Sequence, residues 1–591
     1  MKTLKSSSVF LILALAAVES GAASHLRPQN PPGQNAQAPS AAAGQNKSAP
    51  AIRTTTRLIQ VSVLVHDKHG DPVAGLNKND FTILDDKEQQ TIQLFSVETN
   101  LPPEHLPAPL PADTYSNRVI DRGAAPKNVS VVLLDSLNTE YSDQIFARSA
   151  VIKFLQQIQP QDRVGIYTLG DKLAVLHDFT TDSAALLDAL KKYQGRPSPE
   201  LSASTPHELS MNPMVPSAQA ANQLDSFLRS SSEREANFYT TNRILLTVEA
   251  FELIAHHVLA VPGRKNLVWI SGSFPINFGF DDLTQPTITP MSEQLQFQAQ
   301  VEKAARALND ANIAIYPVDA RGLMGYSTSL TSSTKPRSSM PGGSARTGSG
   351  LAGRPNMIKA PTQAEFASMA ILADRTGGRA FYNTNDLFKA IRTAVDDSRV
   401  TYELGYYPTN SLWDGKFHEI KVMVNKPGVS VRARKGYFAV PDPRTAPEDE
   451  KAAIFAAATS PLEATTIGLK VEVMAITIPG AEGMKTVLHF DPNEISFHQE
   501  DGRFKGTVEA LYAQLSEEGK ILNAPAETFN LAFTPERYEH VLKAGLTKTM
   551  EVPVVAGASE LRVILVDKTT GAIGCVSIPV KPYFPELGKK N

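Results

Sequence analysis

The stretch NVSVVLLDSLNTEYSD, residues 128–143, ends an apolar run on Asp135 and follows it at once with Ser136, Asn138 and Thr139. A carboxylate and hydroxyls gathered on one turn are the oxygen donors a hard divalent cation such as Mg²⁺ requires. The same residues have a second use. An aspartate that ends a strand ahead of a helix accepts bonds from the amides of the next turn, and Asn138, Thr139 and Ser142 suit the cap of a helix starting near Asp143. The residue types leave both readings open and lean toward the metal-free corner.

Other chemistry-bearing residues are less organised. His256 and His257 lie in an apolar helical pattern and Asp319 ends a strand, which suits packing or capping. The run SGS at 271–273 lacks the glycine spacing of a nucleophile elbow, and HEL at 207–209 and HEI at 418–420 are incomplete zinc motifs. Cys575, the only cysteine, sits in the strand-like GCVSIPV and reads as a small buried apolar residue. No catalytic set is visible. The expectation is a protein that is not an enzyme and has no cofactor beyond weakly held Mg²⁺.

The elements that must position Asp135 follow from periodicity. Residues 128–395 alternate strand-like runs (NVSVVLLD, DRVGIYTL, LAVLHDFT, NLVWISG, IAIYPVD, GRAFYN) with helix-period segments, which implies a doubly wound, mainly parallel α/β sheet. YTLGDKLAVL fits a hairpin, so one edge strand should be antiparallel. In such sheets ligands bind beyond the carboxyl ends of the strands where strand order reverses, and Asp135 ends the first strand. Two long insertions, 195–238 and 325–357, should be mobile loops overhanging that corner.

Around this domain the chain is punctuated. Lys2 and Lys5, the apolar run VFLILALAAV and the small residues SGAAS order residues 1–23 as a cleaved secretory signal, with a periplasmic or secreted mature chain and no membrane span after cleavage. Residues 24–54 read as a disordered linker, 55–99 as short β strands and 100–127 as a Pro-rich linker. Residues 396–440 read as strands that complete one β-sandwich with 55–99, since a two- or three-stranded piece is marginal alone. Residues 441–450 read as a linker and 451–591 as an immunoglobulin-like sandwich. A net charge of -3 and the lack of a basic, aromatic-interleaved stripe argue against nucleic acid.

VVLLDSLNT, PGRKNLVWISGSFP, IAIYPVDARGL, TGGRAFYNTNDL, YELGYYP and VRARKGYFAV together resemble the VWA-related (von Willebrand factor type A) family abundant in acidobacteria. The resemblance implies a Rossmann-like domain with a metal ion dependent adhesion site: Asp-x-Ser-x-Ser after the first strand, a later threonine, and an Asp-Gly ending the fourth strand. Asp135 and Thr139 match the first and last of these, while Leu137 replaces the middle hydroxyl and Ser271 the second aspartate. Thr241 or its neighbour Thr240 would supply the later threonine, and Glu140 or Asp143 a replacement anion. With one hydroxyl and one charge lost, the implied site is degenerate. The implied function is binding or scaffolding of an unknown protein partner in the cell envelope or outside the cell. The alternatives are a regulatory subunit or enzyme using the cryptic corner, and a structural spacer.

Overall fold

The computed structural model describes residues 58–99, 110–118, 121, 128–204, 218–272, 304–322, 363–397, 399–410, 413, 416–439 and 447–585. The expected signal segment, the 24–54 linker and the 325–357 insertion lie outside these residues. Four strands come first: β1 (Ile59–His66), β2 (Phe81–Asp85), β3 (Glu88–Gln90) and β4 (Leu94–Thr99). Their alternating apolar residues include Val61, Val63, Phe81 and Ile83, all buried.

Next comes β5 (Thr114–Ser116), inside the stretch expected to be a linker. It pairs antiparallel with a strand more than 350 residues later, Ser116 opposite Lys470. Composition hid it, because three residues between prolines carry no periodicity. What fixes the segment is Asn117. Its amide nitrogen donates to the carbonyls of Ala464 and Ile467, both at 2.8 Å, and its oxygen accepts from the Leu469 N–H at 2.8 Å.

The α/β domain follows with β6 (Val129–Asp135), α1 (Tyr141–Leu155), β7 (Val164–Leu169), β8 (Leu173–Thr180), α2 (Ser183–Lys192), α3 (Pro199–Ala203), α4 (Ala218–Val258), β9 (Lys265–Ser271), a helix over 304–310 (α5), β10 (Ile313–Asp319), α6 (Gln363–Thr376) and α7 (Leu387–Asp396). The sheet order is β8-β7-β6-β9-β10, parallel except for β8, so the order reverses between β6 and β9. Every residue of β6 is buried, and successive side chains serve opposite layers. Val129, Val131 and Leu133 pack with α4, α5 and α6, whereas Val132 and Leu134 pack with α1, α2 and α7.

Two expectations are corrected in this domain. The 195–238 insertion is not one mobile loop, since α3 lies in it and α4 begins at Ala218. Its Ser-rich, polar opening suggests a loop, but Ala218–Val258 contains neither Gly nor Pro and is rich in good helix formers. The run GRAFYN contributes a single bridge, Val318 with Phe381, because the backbone turns away at Asn383 with φ 57°.

After α7 the chain returns to the first strands with β11 (Val400–Tyr406), β12 (Phe417–Val424), β13 (Ser430–Arg432) and β14 (Gly436–Phe438). The sheets are β13-β1-β11-β4 and β14-β12-β2-β3, each mixing strands from before and after the α/β insertion. They share one apolar core that includes Val61, Val63, Ile83, Tyr402, Leu404 and Ile420. The end of the insertion is tied to this sandwich by Asp397, which accepts from Arg432 at 2.5 Å.

The last domain opens on α8 (Pro447–Thr459), so the expected 441–450 linker ends in helix rather than continuing as a linker. It continues with β15 (Leu469–Ile478), β16 (Ala481–Phe490), β17 (His498–Glu500), β18 (Arg503–Leu515), β19 (Ile521–Asn523), β20 (Ala526–Phe533), α9 (Pro535–Ala544), β21 (Leu546–Pro553), β22 (Glu560–Asp567) and β23 (Ile573–Pro579). Two antiparallel sheets, β21-β16-β15-β5 and one built on β17-β18-β22-β23, enclose a common core. Cys575 lies in a smaller apolar cluster with Ala457 and Ala458 of α8, and burial pushes its thiol up to about 12.

Candidate functional site

The switch point between β6 and β9 brings Asp135 and Ser271 together. Four bonds converge on the Asp135 carboxylate. Oδ1 accepts from the Asn138 N–H at 3.0 Å; Oδ2 accepts from the Asn138 amide at 2.9 Å, the Trp269 indole at 2.9 Å and the Ser271 hydroxyl at 2.8 Å. Asp135 is 2% exposed, and burial pushes its carboxyl above the usual range against the pull of these donors.

Each donor is placed by its element. Trp269 and Ser271 are two apart on β9 and share a face of the sheet. Asn138 bridges to α4: its amide also donates to Thr247 Oγ1 at 2.9 Å, and its oxygen accepts from Arg243 Nε at 3.0 Å. Arg243 and Thr247 are four apart and so lie on one helix face. Arg243 also donates to the Ser204 hydroxyl at 2.7 Å, beside α3, so the start of the 195–238 insertion does reach this corner.

The remaining expected ligands are placed as follows. Thr139 is buried and its hydroxyl accepts from the Gly272 N–H at 2.8 Å. A Cβ on Gly272 would stand 3.2 Å from the Thr139 backbone, so this approach favours glycine. The α4 threonine bonded to the corner is Thr247, not Thr241; six residues earlier is about 120° around the helix. Leu137 is 1% exposed and packs with Ile244, Val248 and Trp269, so the position expected to carry a hydroxyl is part of the core. Helix α1 begins at Tyr141 with Glu140 at its cap and no side-chain cap bond, which corrects the expectation that Asn138, Thr139 or Ser142 caps it. Glu140 is exposed, and Asp143 lies in the field of Arg321, which is bound through two nitrogens to Asp319 at 2.9 and 3.1 Å.

This donor set does not fit an octahedral Mg²⁺. Asp135 Oδ2 already accepts three bonds and Oδ1 one, so this carboxylate keeps at most one lone pair, on Oδ1, for a cation, and Leu137 and Ser271 stand where the implied site has a hydroxyl and a second carboxylate. The buried Arg243 guanidinium stands behind Asp135 through Asn138, two hydrogen bonds away, where it opposes a second cation. The sequence signals that went unused were Trp269, two residues before Ser271, and the Arg243/Thr247 pair at helical spacing.

His257, placed by its sequence among packing residues, is buried against the last domain. Its Nδ1 lies 2.9 Å from the Glu463 carbonyl and its Nε2 3.4 Å from Asp178. Although burial favours the neutral ring, the bond and charge of Asp178 raise the His257 pKa, while that pairing holds Asp178 well below its ordinary value.

No family model matches the sequence, and no curated protein matches it. Solved structures do match. An aerotolerance-related membrane protein from Bacteroides fragilis NCTC 9343 is 13% identical, covering 46% of this chain and 98% of its own, with a TM-score of 0.22. The conserved hypothetical protein BatB from Bacteroides thetaiotaomicron is 11% identical over 32% of this chain and 89% of its own, with a TM-score of 0.15. The SpRpn10 VWA domain is 13% identical over 32% and 74%, with a TM-score of 0.15. The neighbours therefore include a VWA domain. The architecture rests on the strand order and the corner itself.

Proposed function

We propose that the chain is an exported, non-enzymatic VWA-type protein that binds or scaffolds another protein in the cell envelope or outside the cell. The reading keeps the shape of a metal ion dependent adhesion site and dispenses with its ion. The observation that carries it is the buried Asp135 carboxylate at the switch point of the sheet, which already accepts four hydrogen bonds from its own neighbours. Recognition then falls to the surface over that corner rather than to a bridging Mg²⁺, with the last two-sheet domain serving as an immunoglobulin-like spacer.

Thermal melting tests the metal-free corner: curves in millimolar Mg²⁺ and in EDTA should agree within about 1 °C, because a ligand stabilises only as its concentration exceeds its dissociation constant. A shift of several degrees that Asp135→Ala abolishes would overturn the reading. Export is tested separately. The mature protein should begin near Ala23 or Ser24, and recovery of intact Met1 from the exported fraction counts against a cleaved signal.

A further inference from the structure

A second buried aspartate ends a strand in the split sandwich, and its surroundings are of another kind. Asp85 closes β2, and the chain then reverses through Asp86 and Lys87, whose φ values of 46° and 74° make the two-residue turn that leads into β3. Strand β12 runs beside β2 with Ile420 opposite Asp85, which brings His418 alongside the turn. The turn is pinned to β12 by a pair of hydrogen bonds, one to backbone and one to side chain. Asp86 N–H donates to the Glu419 carbonyl and Glu419 N–H donates to Asp86 Oδ1, both at 2.9 Å.

Asp85 Oδ2 accepts from the hydroxyls of Tyr406 at 2.8 Å and Tyr437 at 3.1 Å, so the carboxylate is held in one orientation. Its Oδ1 accepts no hydrogen bond, although Asp85 is only 6% exposed. A buried acceptor left in that state is costly, because the water it lost on folding has not been replaced. That oxygen faces His418 Nδ1 at 3.9 Å, and the same nitrogen lies 3.1 Å from Asp86 Oδ2.

From this geometry we infer that Asp85, Asp86 and His418 form a binding site for a divalent transition cation of the Zn²⁺ class. Their donor atoms all lie within 4.8 Å of one another. Two ligands on one Zn²⁺, each about 2.0–2.2 Å away, stand at most about 4.4 Å apart, so a small swing of the exposed Asp86 side chain closes the set. One imidazole and two carboxylates suit a borderline cation better than Mg²⁺, which favours oxygen alone. Tyr406 and Tyr437 act as outer partners that orient the Asp85 ligand. An Asp86–His418 hydrogen bond without metal would account for the 3.1 Å contact but would leave Asp85 Oδ1 unanswered.

The site has a structural consequence. Asp86 and Glu419 are 333 residues apart, with the whole α/β domain between them. A metal joining the β2–β3 turn to β12 would clip the two halves of the split sandwich together, and clips that close long loops constrain the unfolded chain most. A chain with one cysteine has no internal disulfide for that purpose.

The test uses the full-length protein, stripped with chelator and titrated with Zn²⁺, and with Co²⁺ as a spectroscopic probe. One Zn²⁺ per chain should bind, raise the melting temperature and give Co²⁺ a visible ligand-field spectrum. Asp86→Asn changes an exposed ligand and should fold normally in chelator, yet bind Zn²⁺ at least about 10- to 100-fold more weakly, the loss typical of changing even an outer partner, and lose most of the melting shift. His418→Gln should remove the Co²⁺ spectrum. Zn²⁺ uptake that is absent in the parent, or equal in the parent and Asp86→Asn, overturns the proposal.

Discussion

Asp135 and Asp85 are both buried and both end a strand, but they differ in what their second oxygen meets. At the α/β corner four donors from Asn138, Trp269 and Ser271 engage both oxygens of the carboxylate. In the sandwich two tyrosines take one oxygen of Asp85, and the other accepts nothing. The corner that resembles a known metal site in sequence is closed by its own side chains, whereas the turn with no such signature keeps an open ligand atom. Residue type at a strand end does not tell whether a carboxylate oxygen is still available; the donors already committed to it do.

The largest expected effect comes from emptying the closed corner. Asp135→Ala removes a buried acceptor shared by the Trp269 indole, the Asn138 amide and the Ser271 hydroxyl, and should cost about 3–5 kcal/mol of stability, read by calorimetry. The loss should be the same in Mg²⁺ and in EDTA. In contrast, Asp85→Ala should cost about 2–3 kcal/mol in chelator, chiefly through the two tyrosine hydroxyls, and more when Zn²⁺ is present. Equal metal sensitivity of the two variants would erase the distinction between the corners.

The smallest expected effect concerns a pair closed by charge rather than by neutral donors. His257 is raised above its ordinary value of 6.5 and Asp178 is lowered below 3.8. The histidine part of their stabilisation is therefore fully present below about pH 6.5 and is lost as pH rises through the raised value; the aspartate part is present above about pH 3.8 and is lost as pH falls through the lowered one. Because the Asp178 side chain is 44% exposed, solvent screening holds the whole effect below about 1 kcal/mol. His257→Gln should flatten the alkaline limb of a melting-versus-pH curve, and a limb unchanged in that variant would show that the pair contributes nothing.

What the sequence determined by itself is local. The apolar runs at 129–135, 164–169, 265–271 and 313–319 are long enough and dense enough in β-branched residues to be strands buried on both faces, and the order of strands and helices fixes a doubly wound sheet with Asp135 at a strand end. The turn at Asp85–Lys87 is equally legible from its residue types. Tertiary structure decided the rest. Asp135 meets Trp269 and Ser271 across 134 and 136 residues, Asn138 meets Arg243 across 105, and Asp85 meets Tyr406 across 321. A short pattern around Asp135 cannot show whether its lone pairs are already taken, because the donors that fill them arrive on other elements. The same holds for β5, three residues in a Pro-rich stretch, which become a strand only because β15 offers an edge and Asn117 finds three backbone partners there.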